Sequence, residues 1–507
     1  MSYSPKLESA FTGTHLRDPH HISPLTGMCS VCHGDCAGLC DIGYSAVRGM
    51  QAVDPVGADT RQFASEKDYP VDFSHFNING RTFGAWGAPA DSERATVAAV
   101  DLSTSFGKSH PVKLEMPVIL PALAKLDWQD YFSGAALAGA AVVIGEGVIG
   151  KDKGLKLEKG RVAASPLTAE MLDCFRRYDR GAGTIILQAN MDDEHLRSLD
   201  YSITHLGASA VELKFGQAAK GMPAINNIYN IEDAKMWKDR GYLVSPDPAD
   251  PAVIERCKKG ACPVFLKMGR LPMYDDERLI ARVKDLRELG AQQVCFKMAG
   301  FDLADCERVL RVASEAGVDL VTFDGAGGGT GHSPTRMMDE WGLPTVCLES
   351  LICEVMKRLA AEGKPLPDLA IAGGLTLEDH VFKALALGAP YVKLAGMVRA
   401  PLAAALTGQR IGRQIAEGKI PEDMKKYGTT AQEIFFGYGD LRALYGAEAD
   451  KIPTGAVGVY SYLSRVAYGL KQLMLQSRKF KPALLDRSDL IALTRDAREL
   501  KQGIWTY

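Results

Sequence analysis

Between about Met116 and about Ala400 the chain alternates short apolar, β-rich runs with longer stretches whose apolar residues recur every three or four positions. The runs Pro117 to Leu120, Ala141 to Ile144, Thr184 to Gln188, Ala210 to Lys214, Val264 to Lys267, Gln293 to Lys297, Leu320 to Phe323, Leu369 to Ala372 and Tyr391 to Leu394 read as strands. Amphipathic helices fit between them, and this alternation is the signature of a parallel α/β sheet. Nine runs are one too many for a closed eight-stranded barrel, and Val264 to Lys267 is the first candidate to lie outside it. The predicted fold is therefore α/β, a (β/α)8 TIM barrel over residues 111–400, within the size such barrels occupy.

The flanks follow other patterns. Residues 1–110 are irregular, rich in turn residues and without a long periodic run, and are predicted to be a Cys-rich N-terminal extension. Residues 401–507 turn mainly helical, and Ser461 to Lys479 reads as an amphipathic helix with a basic last turn. This helical C-terminal region is expected to contribute packing and not chemistry. There is no internal repeat and no low-complexity segment.

Composition narrows the partners. The 507 residues are 46% hydrophobic and 24% charged with a net charge of -3, ordinary for a globular chain and no basis for expecting nucleic acid. No apolar stretch is long enough to span a bilayer and MSYSPKLESA has no apolar signal core, so the expectation is a cytoplasmic protein with no membrane partner.

Two glycine-rich stretches follow predicted strands. In IAGGLTLEDHVFKALALGAPYVKLAGM, Gly373 and Gly374 close one strand and open a helix, and Gly396 and Met397 close the next. Glycine lets a phosphate approach backbone N–H groups, and barrels commonly hold phosphate after their last two strands. The bland alternative is a tight turn. In TFDGAGGGTGHSPTR, only glycine and alanine (Gly325, Gly327, Gly328 and Gly329 among them) stand between Asp324 and Thr330, so something must press on that backbone.

With these motifs the sequence resembles the FMN-binding synthase domain of the glutamate synthase family over about residues 115 to 400. The order of blocks carries the resemblance: GEG at Gly145 to Gly147, ELKFGQAAK at Glu212 to Lys220, the stretch Tyr274 to Gly300, then GGGTGHSP and the glycine pair. The resemblance implies FMN as cofactor, held near Gln188, Lys297, Gly325, Gly327, Gly328, Gly329, Thr330, Gly373, Gly374, Gly396 and Met397. It implies a catalytic set of Glu146, Gln217, Lys220 and Lys297, with Gln217 and Lys220 facing a 2-oxo acid and Lys297 near the flavin N1 and O2 edge. A cation there would stabilise charge on reduced FMN. Lysines that end strands also snorkel from barrel rims, so Lys214, Lys267 and Lys297 have a solvated alternative, and Glu146 could equally cap a helix. The pattern departs from the family at Ala218 and Ala372, which stand where it has glycine and aspartate. An iron-sulfur motif after the barrel and a glutaminase nucleophile after Met1 are missing.

Four of the 11 cysteines fall together as C-x2-C-x3-C-x3-C: Cys29, Cys32, Cys36 and Cys40. Four thiolates suit a 4Fe-4S iron-sulfur cluster, with an all-thiolate zinc site or redox-active thiols as alternatives. The other seven, including Cys257 and Cys262, are expected to pack as small hydrophobes. The combined expectation is an FMN and iron-sulfur oxidoreductase reducing an imine formed from a 2-oxo acid and ammonia or an amine. An electron-donor protein or subunit and an oligomeric assembly are the expected partners. The alternatives are an FMN dehydrogenase acting on another substrate, or an electron-carrier subunit.

Overall fold

The computed structural model describes residues 28, 29, 32, 40–49, 69–123, 128–216, 225–328 and 342–504. At its centre is a closed barrel of eight parallel strands: β1 (Val118–Leu123), β2 (Ala141–Ile144), β3 (Thr184–Ala189), β4 (Ala210–Phe215), β5 (Gln293–Ala299), β6 (Leu320–Asp324), β7 (Asp368–Ala372) and β8 (Val392–Gly396). Each pairs in parallel with the next, and β8 closes on β1. The predicted TIM barrel is thus present. Eight of the nine sequence runs became these strands, and the ninth does lie outside, as Phe265–Met268 in a three-stranded antiparallel sheet between Ile225–Ile228 and Leu243–Ser245. That small sheet belongs to an insertion between β4 and α5 (Asp276–Glu288), the helix that crosses to β5.

Helices cover the barrel because every crossover between parallel strands must return over its face. Asp275 and Asp302 cap α5 and α6 (Leu303–Ala316) by accepting backbone N–H groups of their first turns. The predicted C-terminal helix is longer than expected, running from Thr454 to Gln476 (α10), and it packs on α9 (Arg399–Ala416), α2 (Trp128–Leu137) and α1 (Asp41–Arg48). Among the described residues no helix is long and apolar enough to cross a membrane.

The end of the barrel at the strand N-termini is plugged. A hairpin of Thr104–Phe106 and Val112–Leu114, within and just past the stretch read as irregular, sends Phe106 and Leu114 into the barrel against Ile119, Val143 and Leu320. Gly107 N–H donates to Asp368 at 3.0 Å, and Gln293 Nε2 donates to the His110 carbonyl at 2.6 Å, tying the hairpin to the first residues of β7 and β5.

One cysteine expectation is corrected here. Cys257 and Cys262 are not packing thiols but a disulfide across Cα atoms 3.9 Å apart, and Cys262 is exposed. Cys174 is only half-buried, whereas Cys295, Cys306, Cys347 and Cys353 are buried as expected.

Candidate functional site

Strand side chains alternate between the barrel interior and the helical layer. Along the inward-facing positions of β3, β4, β5 and β6 the residues run Ile186 then Gln188; Ala210 then Glu212 then Lys214; Cys295 then Lys297; Leu320 then Thr322 then Asp324. The polar ones all lie toward the strand C-termini, where (β/α)8 barrels carry chemistry. Parallel registry sets them side by side: Gln188 beside Glu212, Lys214 beside Lys297, and Lys297 beside Thr322.

They form one buried network. Gln188 Nε2 donates to Glu212 Oε1 at 2.5 Å, while Gln188 Oε1 accepts the Glu146 N–H at 3.4 Å. Lys214 Nζ lies 2.8 Å from Glu146 Oε1, and Lys297 Nζ lies 3.1 Å from Asp324 Oδ2. Lys297 is 3% exposed and Lys214 6%, so neither snorkels into solvent. Burial raises the Glu212 pKa, opposed by Lys297, the Gln188 hydrogen bond and Lys214. Glu212 Oε2 and Thr322 Oγ1 are buried with no hydrogen-bond partner, an arrangement that elsewhere marks a group awaiting a ligand or a water.

Glu146 and Lys297 are therefore brought into one site. Gln217 and Lys220, the other two residues of the expected catalytic set, lie outside the described residues, as do Gly329 and Thr330. Glu212, Lys214, Thr322 and Asp324 were missed as site members. The available signal was a polar residue at every second position of a strand otherwise apolar enough to be buried on both faces.

The glycines meet where β6 and β7 end. Gly325 N–H donates to the Ala372 carbonyl and Gly328 N–H to the Gly325 carbonyl, both at 2.8 Å. Thr345, the first residue of α7 (Thr345–Ala361), donates its hydroxyl to the Gly373 carbonyl at 2.7 Å. A Cβ on Gly327 would lie 2.7 Å from the Gly373 oxygen, and one on Gly373 would lie 2.9 Å from Gly325 N. Gly373 and Gly374 have φ of 126° and 90°, a region that disfavours any side chain. Among the described residues nothing accepts the Gly374 N–H. Among the described residues the following helix, α8 (Glu378–Leu387), and α9 after β8 both begin without a side-chain cap at Leu377 and Val398, and both point their positive dipole ends toward the strand ends.

Met397 is held from two sides. Its N–H donates to the Ile119 carbonyl at 3.0 Å and its sulfur lies 3.4 Å from the Tyr462 hydroxyl, which also donates to the Thr376 carbonyl. Arg465 pairs with Glu378. Helix α10 thus braces the loop after β7, a supporting role within the packing expected of the tail.

Of the four clustered cysteines, Cys36 lies outside the described residues. Cys40 caps α1, its sulfur accepting the Gly43 N–H at 3.4 Å. Among the described residues no three His, Cys, Asp or Glu side chains gather to hold a metal, so Cys29, Cys32 and Cys40 do not assemble there as a donor set.

The fold and this site define a (β/α)8 barrel with a buried charged cluster toward its C-terminal mouth, beside a glycine cradle. Residues 270–404, which include Lys297, both glycine stretches and β5 to β8, match the family model for the conserved region in glutamate synthase. The chain is 29% identical over 196 residues to the archaeal-type NADPH glutamate synthase of Thermotoga neapolitana, covering 38% of this chain and 34% of that protein. It is 36% identical over 188 residues to the archaeal-type enzyme of Dehalococcoides mccartyi, covering 36% and 33%. It thus spans about a third of the length of these curated relatives. Among solved structures, flavocytochrome b2 with sulfite bound superposes with a TM-score of 0.46 at 13% identity, over 86% of this chain and 79% of that one.

Proposed function

We propose that the chain is an FMN-dependent oxidoreductase of the glutamate synthase type, reducing an imine formed from a 2-oxo acid and ammonia or an amine. The observation that carries this reading is the placement of Lys297 and Lys214, buried and paired to carboxylates, beside a glycine cradle at the mouth of the barrel. The residues present fit the cofactor. Gly374 offers an N–H that no described group accepts, the adjoining glycine backbones pack too closely for side chains, and two uncapped helix starts flank them. When bound, FMN supplies a hydride to an electron-poor carbon.

The protein's own groups would do the rest. Gly374, with the helix dipole of α8 behind it, would hold the phosphate. Lys297 places positive charge in a dry pocket, where a cation acts strongly on any anion that binds beside it. Glu146, held by Lys214, is the group positioned to exchange a proton with an amine. Glu212, whose carboxyl is raised by burial against the pull of Lys297, Gln188 and Lys214, keeps one oxygen without a partner among the described residues and can turn it to a ligand.

Electron entry is assigned to the four-cysteine run of Cys29, Cys32, Cys36 and Cys40, and no step is routed through it. The decisive experiment is an anaerobic absorption spectrum of purified protein with iron and zinc analysis, then reduction and addition of 2-oxoglutarate with an amine. Flavin bands, and reoxidation that needs both additions, are expected. A protein that neither carries nor binds FMN overturns the reading, whereas bound flavin indifferent to every oxo acid points to a dehydrogenase or an electron carrier.

A further inference from the structure

The loop after β2 carries Glu146, whose N–H and carboxylate are held by Gln188 and Lys214. Its next residue, Gly147, donates its N–H to Asp193 Oδ2 at 2.7 Å. The same oxygen accepts the Asn190 N–H at 3.2 Å, within the capping box of the short helix Met191–His195 that follows β3. Asp193 is 2% exposed, and its other oxygen has no hydrogen-bond partner.

The insertion covers this carboxylate. Tyr242, whose buried hydroxyl is also without a partner, faces Asp193 and Asp192. Lys267 stands 4.2 Å from the centre of the Tyr242 ring and 4.6 Å from that of Trp237, and faces the same two carboxylates. Arg270 Nη1 binds Asp192 Oδ1 at 2.6 Å.

We propose that Asp193 is a positioning residue for Glu146, strapping the loop after β2 to the helix after β3, with Tyr242 and Lys267 of the insertion closing over the strap. This rests on the reading of Glu146 as a functional group given above. Burial pushes the Asp193 carboxyl up to about 7, Glu146 and Asp192 add to the rise, and the Gly147 and Asn190 N–H groups oppose it. The raised value means that the closed strap holds the proton, so the strap is firmest with the carboxyl neutral and loosens as pH rises through that midpoint, where the ionised carboxyl gains water by opening. An amide at 193 keeps an acceptor for Gly147 and cannot titrate. A methyl offers no acceptor and cannot titrate either.

The test is hydrogen–deuterium exchange of the full chain, below and above pH 7 and corrected for intrinsic exchange, for wild type, Asp193→Asn and Asp193→Ala. Residues 145–150 should exchange faster above the midpoint than below it in wild type. In Asp193→Ala they should exchange about ten-fold faster than in wild type below it, with β6 and β7 unchanged. Asp193→Asn should keep the protection and lose the pH step, a result that does not depend on the alanine variant folding. No pH step in wild type, or alanine exchanging like wild type, overturns the proposal. Exchange is read without turnover, so failure of the imine chemistry leaves this result standing on its own.

Discussion

The two halves of the barrel interior are made by the same strands and the same alternation, yet they do opposite work. In the lower half Ile186, Ala210, Cys295 and Leu320 face one another and the plug residues Phe106 and Leu114. Two residues further along the same strands stand Gln188, Glu212, Lys297 and Thr322, buried almost as completely but polar or charged. The lower half is held by contact and shape, and a substitution there acts through volume. The upper half is held by pairing of charges that left water together, and a substitution there acts through whichever partner is left behind.

Three substitutions would break or sharpen that contrast. The largest effect is expected for Lys297→Ala, which leaves Asp324 buried without its cation. Urea denaturation should show a loss of about 3–5 kcal/mol, and FMN binding should fall with it. Phe106→Leu, in the plug, should cost about 1 kcal/mol by the same measurement while leaving FMN affinity unchanged; a matching loss of affinity would mean that the halves are coupled. The smallest change is expected for Thr322→Val, whose hydroxyl has no partner to lose, so stability should shift by less than about 1 kcal/mol. Weakened ligand binding in that variant would identify the hydroxyl as a ligand contact.

Titration adds a fourth expectation. Because burial raises the Asp193 pKa from 3.8 to about 7, the folded chain keeps a proton there that the unfolded chain has already released. This group's contribution to stability is full below the unfolded value and declines as pH rises toward 7. Asp193→Asn should flatten that part of a Tm-against-pH curve.

Strand positions were legible because burial on both faces makes a run such as AVVI continuous in apolar residues, whatever the rest of the fold does. Val264 to Lys267 could be set aside only by counting, and its partner strands Ile225–Ile228 and Leu243–Ser245 escaped notice because they are short and half polar. The glycine stretches were readable from local chemistry, since a backbone packed against a backbone excludes every side chain. What could not be read was pairing across the chain. Gly147 meets Asp193 through the registry of β2 on β3, and Cys257 reaches Cys262 because the chain turns back just after a helix end. The alternation of Glu212 and Lys214 within VELKF was readable in principle, as polar side chains on one face of a buried strand.

The plugged lower end makes the barrel a blind alley. Among the described residues Phe106 and Leu114 fill the floor, so a molecule bound at the inner charged residues would come and go by the opposite end, and a product would leave by the door through which the next arrival enters. Two reactants consumed in succession would then have to take turns, so double-reciprocal plots should form parallel lines, and each reactant in excess should inhibit by occupying the doorway out of turn.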